Sequence, residues 1–318
     1  MKSAKISIII VTYNAMKWAE RCFSSLRKSS PSVSCIVVDN GSTDGTQDFI
    51  RNNFSEVEFI QSEENLGFGK ANNLGIEKAY KNGANFFYLM NQDAWIFEDS
   101  MAKMLEVYDQ HPQKAEIGIL SPMHLDGTGQ KLDFNFERYL GKNTGRNRII
   151  SDLYSGNAKS FYEVDFVNAA HWLIPKKTID EIGGFNPYIF HYGEDFEYVN
   201  RVRFRNLKIL VCTESGVVHD TVQGLYKKEP KTKQEMLAES RISARKQREN
   251  RYFDPASDFD LKKEKKEFFS NIIKLALKGK LEESKYYYQL YQFFSKRFPD
   301  IVQKREIILK EKHPFLNL

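Results

Sequence analysis

Cysteine is scarce in this sequence. Three residues in 318, Cys22, Cys35 and Cys212, stand far apart with no CxxC pair, which excludes a disulfide framework and a zinc knuckle and leaves a reducing compartment as the expectation. Long apolar runs are absent too. No uncharged stretch reaches 18 residues, and Ile6–Val11 near the start is too short for a signal h-region, so no membrane span and no secretory leader are expected. The expected location is the cytoplasm, free or peripheral on the inner face of the membrane. Glycine-rich phosphate loops are missing as well: the first apolar run is followed by Thr12-Tyr13-Asn14-Ala15, neither a GxGxxG fingerprint nor a GxxxxGK[ST] loop. No internal repeat is present.

What remains is a well-supplied globular composition, 41% hydrophobic and 14% aromatic. The net charge of +5 is unevenly distributed. Residues 226–318 hold 23 Lys and Arg against 14 Asp and Glu, a net +9, whereas residues 1–225 hold 24 against 28, a net −4. That shift, with Lys, Glu and Gln at helical spacing from Tyr226 onward, divides the chain into residues 1–225 and a basic, mainly helical region 226–318. No groove-reading motif accompanies the basic charge, so nucleic acid is not an expected partner. Two readings of this region stay open. It is a solvated helical extension or homo-oligomer contact, or a peripheral membrane contact in which Phe268, Phe269, Ile272, Ile273, Leu275 and Leu277 lie among lysines.

In residues 1–225, β-branched runs alternate with helical patterns. Ile6–Val11, Val33–Val38, Val57–Ile60 and Phe86–Met90 read as strands, and Ala15–Lys28 and Lys70–Lys81 as helices, with Asp44 placed to cap a helix reaching Asn53. Near-continuous apolar strands predict a mostly parallel sheet covered by helices on both faces, an α/β class. Further on, Ser100–His111, Ile179–Ile182 and Glu194–Arg205 read as helices, and Ile117–Leu120, a pair within Phe161–Ile174, Lys208–Cys212 and Gly216–His219 as strands. The polar stretch 124–157 has poor periodicity and stays open between a loop and unplaced strands. In such sheets ligands bind beyond the carboxyl ends of the strands, where Thr12-Tyr13-Asn14, Asp39-Asn40 and Asn91-Gln92-Asp93 fall.

Those loops hold groups suited to a nucleotide. Tyr13 offers a ring for a base, and Asp39 an acceptor for the imide N3–H of uracil or thymine. A diphosphate calls for a divalent cation, Mn²⁺ or Mg²⁺, and Asp93 and His219, both at strand ends, are candidate ligands. Glu194 and Asp195 open a helix, where the dipole favours an ionised carboxylate and hence a general base. His111, His124, His171 and His313 enter no evident constellation, and Trp172 is either core or a sugar-packing face.

In this order, Val11-Thr-Tyr-Asn14, Val38-Asp-Asn-Gly-Ser-Thr-Asp44, Glu64-Asn-Leu-Gly-Phe-Gly-Lys-Ala-Asn-Asn73, Leu89-Met-Asn-Gln-Asp-Ala-Trp95, Gly183-Gly-Phe185 and Gly193-Glu-Asp195 resemble family 2 glycosyltransferases of the GT-A fold. The rhamnosyltransferase and galactofuranosyltransferase-like branch is the most similar. The resemblance covers residues 5–225 and implies an inverting, hexosyltransferase-type enzyme. A UDP- or dTDP-linked sugar would be the donor and a glycan or lipid-linked molecule the acceptor, in cell-surface polysaccharide assembly. It implies donor contacts by Thr12, Tyr13, Asn14, Asp39, Asn65, Gly67, Asn73 and Asn91, metal ligation by Asp93 and His219, and a catalytic pair Glu194 and Asp195 with Asp195 as base. One departure stands out. Asn91-Gln92-Asp93 replaces the first acid of the family's DxD by an amide, so a cation would be held with less negative charge. The alternatives are a catalytically silent sugar-nucleotide-binding subunit and a nucleotidyltransferase.

Overall fold

The computed structural model describes residues 4–142, 148–221 and 232–318. Strand β1 (Ile6–Thr12) pairs in parallel with β2 (Ser34–Asp39) on one side and β4 (Phe86–Asn91) on the other, and β3 (Glu58–Gln61) adds in parallel to β2. Register aligns their carboxyl ends, Thr12 with Asp39 and Val11 with Asn91. Side chains alternate across β1. Ile8 and Ile10 pack with Ala19, Cys22, Phe23 and Leu26 of α1 (Met16–Arg27), while Ile9 packs with Ile76 and Ala79 of α3 (Gly67–Lys81) on the opposite face. Gly75 permits that second contact, since a Cβ there would stand 2.4 Å from Ile9 Cγ2. The sheet is therefore covered on both faces, as the apolar strands predict. Asp44 works beside the start of α2 (Thr46–Asn53), accepting from Thr46 N at 3.1 Å, while Gly45 takes the cap position with φ +90°.

The remaining strands are β5 (Ala94–Ile96), β6 (Ile117–Leu125), β7 (Phe161–Glu163), β8 (His171–Pro175) and β9 (Lys208–His219). The order is β3-β2-β1-β4-β8-β6-β9-β5, with β7 pairing β9. Three features depart from the sequence reading. β5 is only three residues long, too short to register as a periodic pattern. Lys208–His219 is one strand, carried past Thr213–Ser215 by a register shift against β6 rather than broken there. The open stretch 124–157 contains the end of β6 and helices α5 (Phe134–Lys142) and α6 (Ile149–Tyr154), whose Phe136, Leu140 and Ile149 are buried. Helices α4 (Ser100–Gln110), α7 (Lys176–Ile182) and α8 (Glu194–Phe204) complete the layers. Trp172 is fully buried against Phe185 and Tyr198, which settles it as core.

The chain divides into two compact units. One comprises residues 1–229 together with 312–318, the other residues 230–311. The seven terminal residues thus return to the first unit: Gly184 N donates to Pro314 O at 2.9 Å and Asn317 N to Glu77 Oε1 at 2.9 Å. The second unit contains α9 (Lys233–Phe253), α10 (Leu261–Leu277), α11 (Leu281–Ser295) and α12 (Phe298–Lys310). Thr232 and Glu235 form a reciprocal capping box at α9, and Asp260 caps α10 by accepting from Lys263 N at 2.7 Å. Its core holds Tyr252, Phe268, Phe294, Phe298 and Ile301, with the Tyr252 hydroxyl donating to buried Glu264 at 2.7 Å. Pro299 lies in the first turn of α12, where a missing N–H is harmless. Among the described residues no helix is long and apolar enough to cross a membrane.

Candidate active site

A cleft of about 430 Å³ opens at the carboxyl ends of β1 and β4. One wall is Tyr13, Asn65, Gly67, Asn91, Gln92 and Asp93, and the facing wall is Phe190, His191 and Tyr192. Tyr13 leaves 48% of its surface open, enough for a planar ring to lie on. Its backbone is clamped by Gln92, which accepts from Tyr13 N at 2.7 Å and donates to Tyr13 O at 3.2 Å. Gln92 is a site residue that the sequence reading left without a role. Asn65 accepts from Gly67 N at 2.9 Å, and Asn40 donates to Gly67 O at 3.2 Å, so two amides set the entry to α3. Gly67 itself holds φ +77°, and a Cβ there would lie 2.2 Å from Phe190 O, so any side chain would push the two walls apart.

Asp39 is fully buried below this cleft, and its carboxylate is already engaged. Oδ1 accepts from Gly41 N at 3.2 Å, Ser42 N at 2.9 Å and Gln47 Nε2 at 2.7 Å; Oδ2 accepts from Thr12 Oγ1 at 2.7 Å and Ser42 Oγ at 2.6 Å. Five donors occupy the lone pairs of one carboxylate. In this arrangement Asp39 and buried Thr12 are the hub that joins the loop after β1 to the loop after β2. Asn14 serves the same junction, with φ +52°, its N–H donating to Ser42 Oγ at 2.9 Å and its Oδ1 accepting from Thr43 N at 2.9 Å.

The structure places Asn73 away from the cleft. Its amide accepts from Phe185 N at 2.7 Å and donates to Phe185 O at 2.8 Å and Phe315 O at 3.2 Å, pinning α3 to the Gly183-Gly184-Phe185 turn and to the returning terminus. Both ends of the amide are thereby used, and none of it lines the cleft.

A second corner forms where β4, β5 and β9 meet. The antiparallel register sets Ala94 opposite His219, and Asp220 N donates to Asp93 O at 2.8 Å, so Asp93 and His219 are brought together by the short strand the sequence hid. Asp93 Oδ1 lies 3.5 Å from His219 Nε2, and the Asn91 amide lies 3.2 Å from the same nitrogen. Behind it, Asp133 is fully buried, accepting from Phe136 N at 2.9 Å and standing 3.9 Å from His219 Nδ1. Burial lowers the basicity of His219, but Asp93, Asp133 and Asp220 outweigh it and hold the imidazole above its ordinary range.

His124 and His171 join this corner, contrary to the expectation that they stand outside any constellation. The rings of His124 and His171 are 5.0 Å apart, and they lie 6.3 and 6.0 Å from that of His219. Burial pushes both well below the usual histidine range, so they back the site as neutral rings. Sequence spacing of 47 and 48 residues gave no signal of this cluster; β6, β8 and β9 being adjacent creates it.

Asn91, Asp93 and His219 present one amide, one carboxylate and one imidazole to a common point. Among the described residues no three His, Cys, Asp or Glu side chains form a closed metal cage. One carboxylate and one imidazole converge beside an amide, which fits a cation completed by the oxygens of a bound diphosphate rather than by protein alone.

The facing wall leads straight into the start of α8. Tyr192 holds a left-handed φ of +64° and Gly193 one of +119°, which turns the chain into α8, whose first turn carries Glu194, Asp195 and Glu197. Asp195 lies beside an aromatic stack in which Phe166 and Phe196 are parallel at 3.9 Å and Tyr139 meets Phe166 edge-on at 5.0 Å. Burial pushes its carboxyl up to about 6, against the Phe196 N–H that donates to Oδ1 at 2.8 Å. Glu194 is buried, with Oε1 3.8 Å from His191 Nδ1. The helix is anchored one turn on. Buried Glu197 accepts from Arg201 Nε at 2.9 Å, and Arg201 also donates to Gly184 O at 2.7 Å and to Ile182 O.

The strand-end cleft, the corner of Asp93 and His219 and the raised carboxyl of Asp195 belong to one fold, and sequence comparison names the family. Residues 7–159 match the model of glycosyl transferase family 2. The chain carries a family 2 glycosyltransferase domain. Two curated relatives are 24% identical to this glycosyltransferase. One is the low-salt glycan biosynthesis hexosyltransferase Agl10 of Haloferax volcanii, aligned over 68% of this chain and 67% of its own length. The other is the N-acetylglucosaminyl-diphospho-decaprenol L-rhamnosyltransferase of Mycobacterium tuberculosis, over 62% and 70%. Among solved structures, S. aureus TarS 1-349 in complex with UDP-GlcNAc superposes with a TM-score of 0.52 at 14% identity, covering 91% of each chain. The mannosyltransferase PcManGT of Pyrobaculum calidifontis, with GDP-Man and Mn²⁺, gives 0.52 at 13% identity, covering 79% of this chain and 63% of its own. These likenesses establish the GT-A fold. A nucleotidyltransferase is set aside by the family.

Proposed function

We propose that this glycosyltransferase moves a hexosyl group from a UDP- or dTDP-linked donor to a hydroxyl of a glycan or lipid-linked acceptor, with inversion, in cell-surface polysaccharide assembly. The observation that carries the reading is the position of Asp195. Its carboxyl, with a pKa of about 6, opens the helix that continues the wall of the donor cleft. At neutral pH it is ionised yet basic enough to accept a proton from an attacking hydroxyl.

The residues divide the work. Tyr13 supports the base, and Asp39 holds the loops after β1 and β2 that carry Tyr13 and Asn40 to the cleft. Asp93, His219 and Asn91 would hold a divalent cation, Mn²⁺ or Mg²⁺, against the diphosphate. When bound, that ion offsets the charge growing on the leaving group. Asp195 takes the acceptor's proton as the acceptor oxygen bonds to the anomeric carbon from the face opposite the diphosphate. The bond from that carbon to the phosphate oxygen breaks, and the nucleoside diphosphate leaves with the electron pair. Phe196, 44% exposed beside Asp195, gives an acceptor ring an apolar face to lie on. The two curated relatives, one named a glycan hexosyltransferase and one a rhamnosyltransferase acting on a diphospho-decaprenol carrier, support a hexosyl donor and a glycan or lipid-linked acceptor.

The test is a thermal-shift panel of UDP-, dTDP- and GDP-sugars on the full chain, followed by release of nucleoside diphosphate with and without Mn²⁺. Uridine or thymidine donors should raise the melting temperature most, because only bound ligand stabilises the fold. Preferential stabilisation by guanosine donors would overturn the donor assignment.

A further inference from the structure

The helical unit carries an apolar stripe on its outside. Phe269, Ile273 and Leu277 succeed one another at four-residue steps on α10, exposed by 47%, 58% and 84%, and Leu281 follows at the start of α11, 68% exposed. Four-residue steps place side chains on one face. The inner face of α10 is already occupied, by Phe268 in the core and by Glu264. Phe269 meets Tyr291 of α11 at 4.8 Å with part of its ring; the rest of the stripe is surplus to the packing of its own unit.

Its surroundings are basic. Lys262 and Lys266 continue the same stripe toward the helix start, at steps of four and three before Phe269, so cationic and apolar groups share one line about 22 Å long at 1.5 Å per residue. Lys265, Lys274, Lys278 and Lys280 flank it, all exposed. The two acids within 262–280 are turned away. Glu264 pairs with Arg251 and Glu267 with Arg248 at 2.8 Å, both on α9. Glu282 and Glu283 open α11, and Glu283 is held by Lys280 at 3.1 Å.

We propose that this face of α10, with Leu281, seats on an anionic lipid bilayer, the four apolar side chains entering the headgroup boundary and the lysines meeting lipid phosphates. Charge decides the occupant. Residues 230–311 hold 20 Lys and Arg against 13 Asp and Glu, a net +7, so stacking the same unit of a second copy on the stripe would oppose like charges. An anionic interface satisfies both halves of the stripe, since lysine stems lie along apolar surface while their heads stay at the phosphates. The seat is independent of the transfer reaction proposed above.

The experiment is co-sedimentation of the full chain with phosphatidylcholine vesicles containing about one-third phosphatidylglycerol, against pure phosphatidylcholine. Binding to the anionic vesicles alone, weakened by salt, is expected. I273D/L277D should lower the partition coefficient at least about tenfold, through lost apolar contact. K262Q/K266Q should lower it about 30-fold, at roughly fivefold per lysine near an anionic surface. Both pairs are exposed, and the thermal shift given by the sugar-nucleotide donor should be unchanged in both, which separates loss of the seat from loss of the enzyme. Equal binding to neutral vesicles, no binding to anionic ones, or unchanged binding by both variants overturns the proposal. So does a solution dimer that I273D/L277D converts to monomer with vesicle binding intact, which would assign the stripe to a second copy.

Discussion

Two aspartates, 156 residues apart in sequence, lie at loops of one fold in opposite surroundings, and we assign them opposite roles. Asp39 is surrounded by five donors that hold the loops after β1 and β2 in place. Asp195 accepts from the adjacent Phe196 N–H, is packed beside phenylalanine rings, and is pushed up to about 6. Hydrogen bonds to the charged form make a carboxylate a fixed part of the scaffold, whereas burial with few donors makes it a proton acceptor. The same side chain becomes architecture or chemistry according to how many N–H and O–H groups reach it.

The sharpest way to break this comparison is to remove each carboxylate's charge. Asp195→Asn should lower transfer about a thousandfold or more, the scale of a lost general base, while calorimetry finds donor binding unchanged. Its melting temperature at pH 7 should not fall. The folded carboxyl has a raised pKa, so its ionised form opposes folding above about pH 6 and that penalty is relieved as pH falls toward 4. Asp39→Ala should do the reverse. Stranding the donors of buried Thr12 and half-buried Ser42 and Gln47 should cost about 3 kcal/mol in urea unfolding, with donor binding lost through the disordered loops.

Two smaller effects sharpen the contrast. Asp93→Ala should raise the Mn²⁺ concentration needed for donor binding about 10- to 100-fold, measured by titration of donor affinity, with little change in folding. Asn73→Ala removes three hydrogen bonds to Phe185 and Phe315 and should lower stability by about 1–2 kcal/mol in the same urea assay. Donor affinity in that variant should stay the same, since Asn73 lies outside the cleft.

The legible part of the site was the part written in local order. Apolar strands ending in Thr12-Tyr13, Asp39-Asn40 and Asn91-Gln92-Asp93 announce a parallel sheet with loops at one edge, and the acids after Gly193 announce a helix start. What stayed hidden depends on contacts between distant segments. Asn73 meets Phe185 across 112 residues and Phe315 across 242. β5 gains its identity only from pairing with β9, and without that pairing Asp93 has no reason to face His219. Asp133 sits in a polar stretch whose helices are specified by Phe136 and Leu140 packing into the core rather than by repeating pattern. The return of residues 312–318 to the first unit leaves no trace in composition.

The pH dependence of transfer at saturating donor tests the central claim most directly. With Asp195 as the base at about 6, log kcat should fall with unit slope below about pH 6 and level off above it. A rate that stays flat down to pH 4.5, with the fold intact by circular dichroism, would contradict the assignment of Asp195 as the proton acceptor.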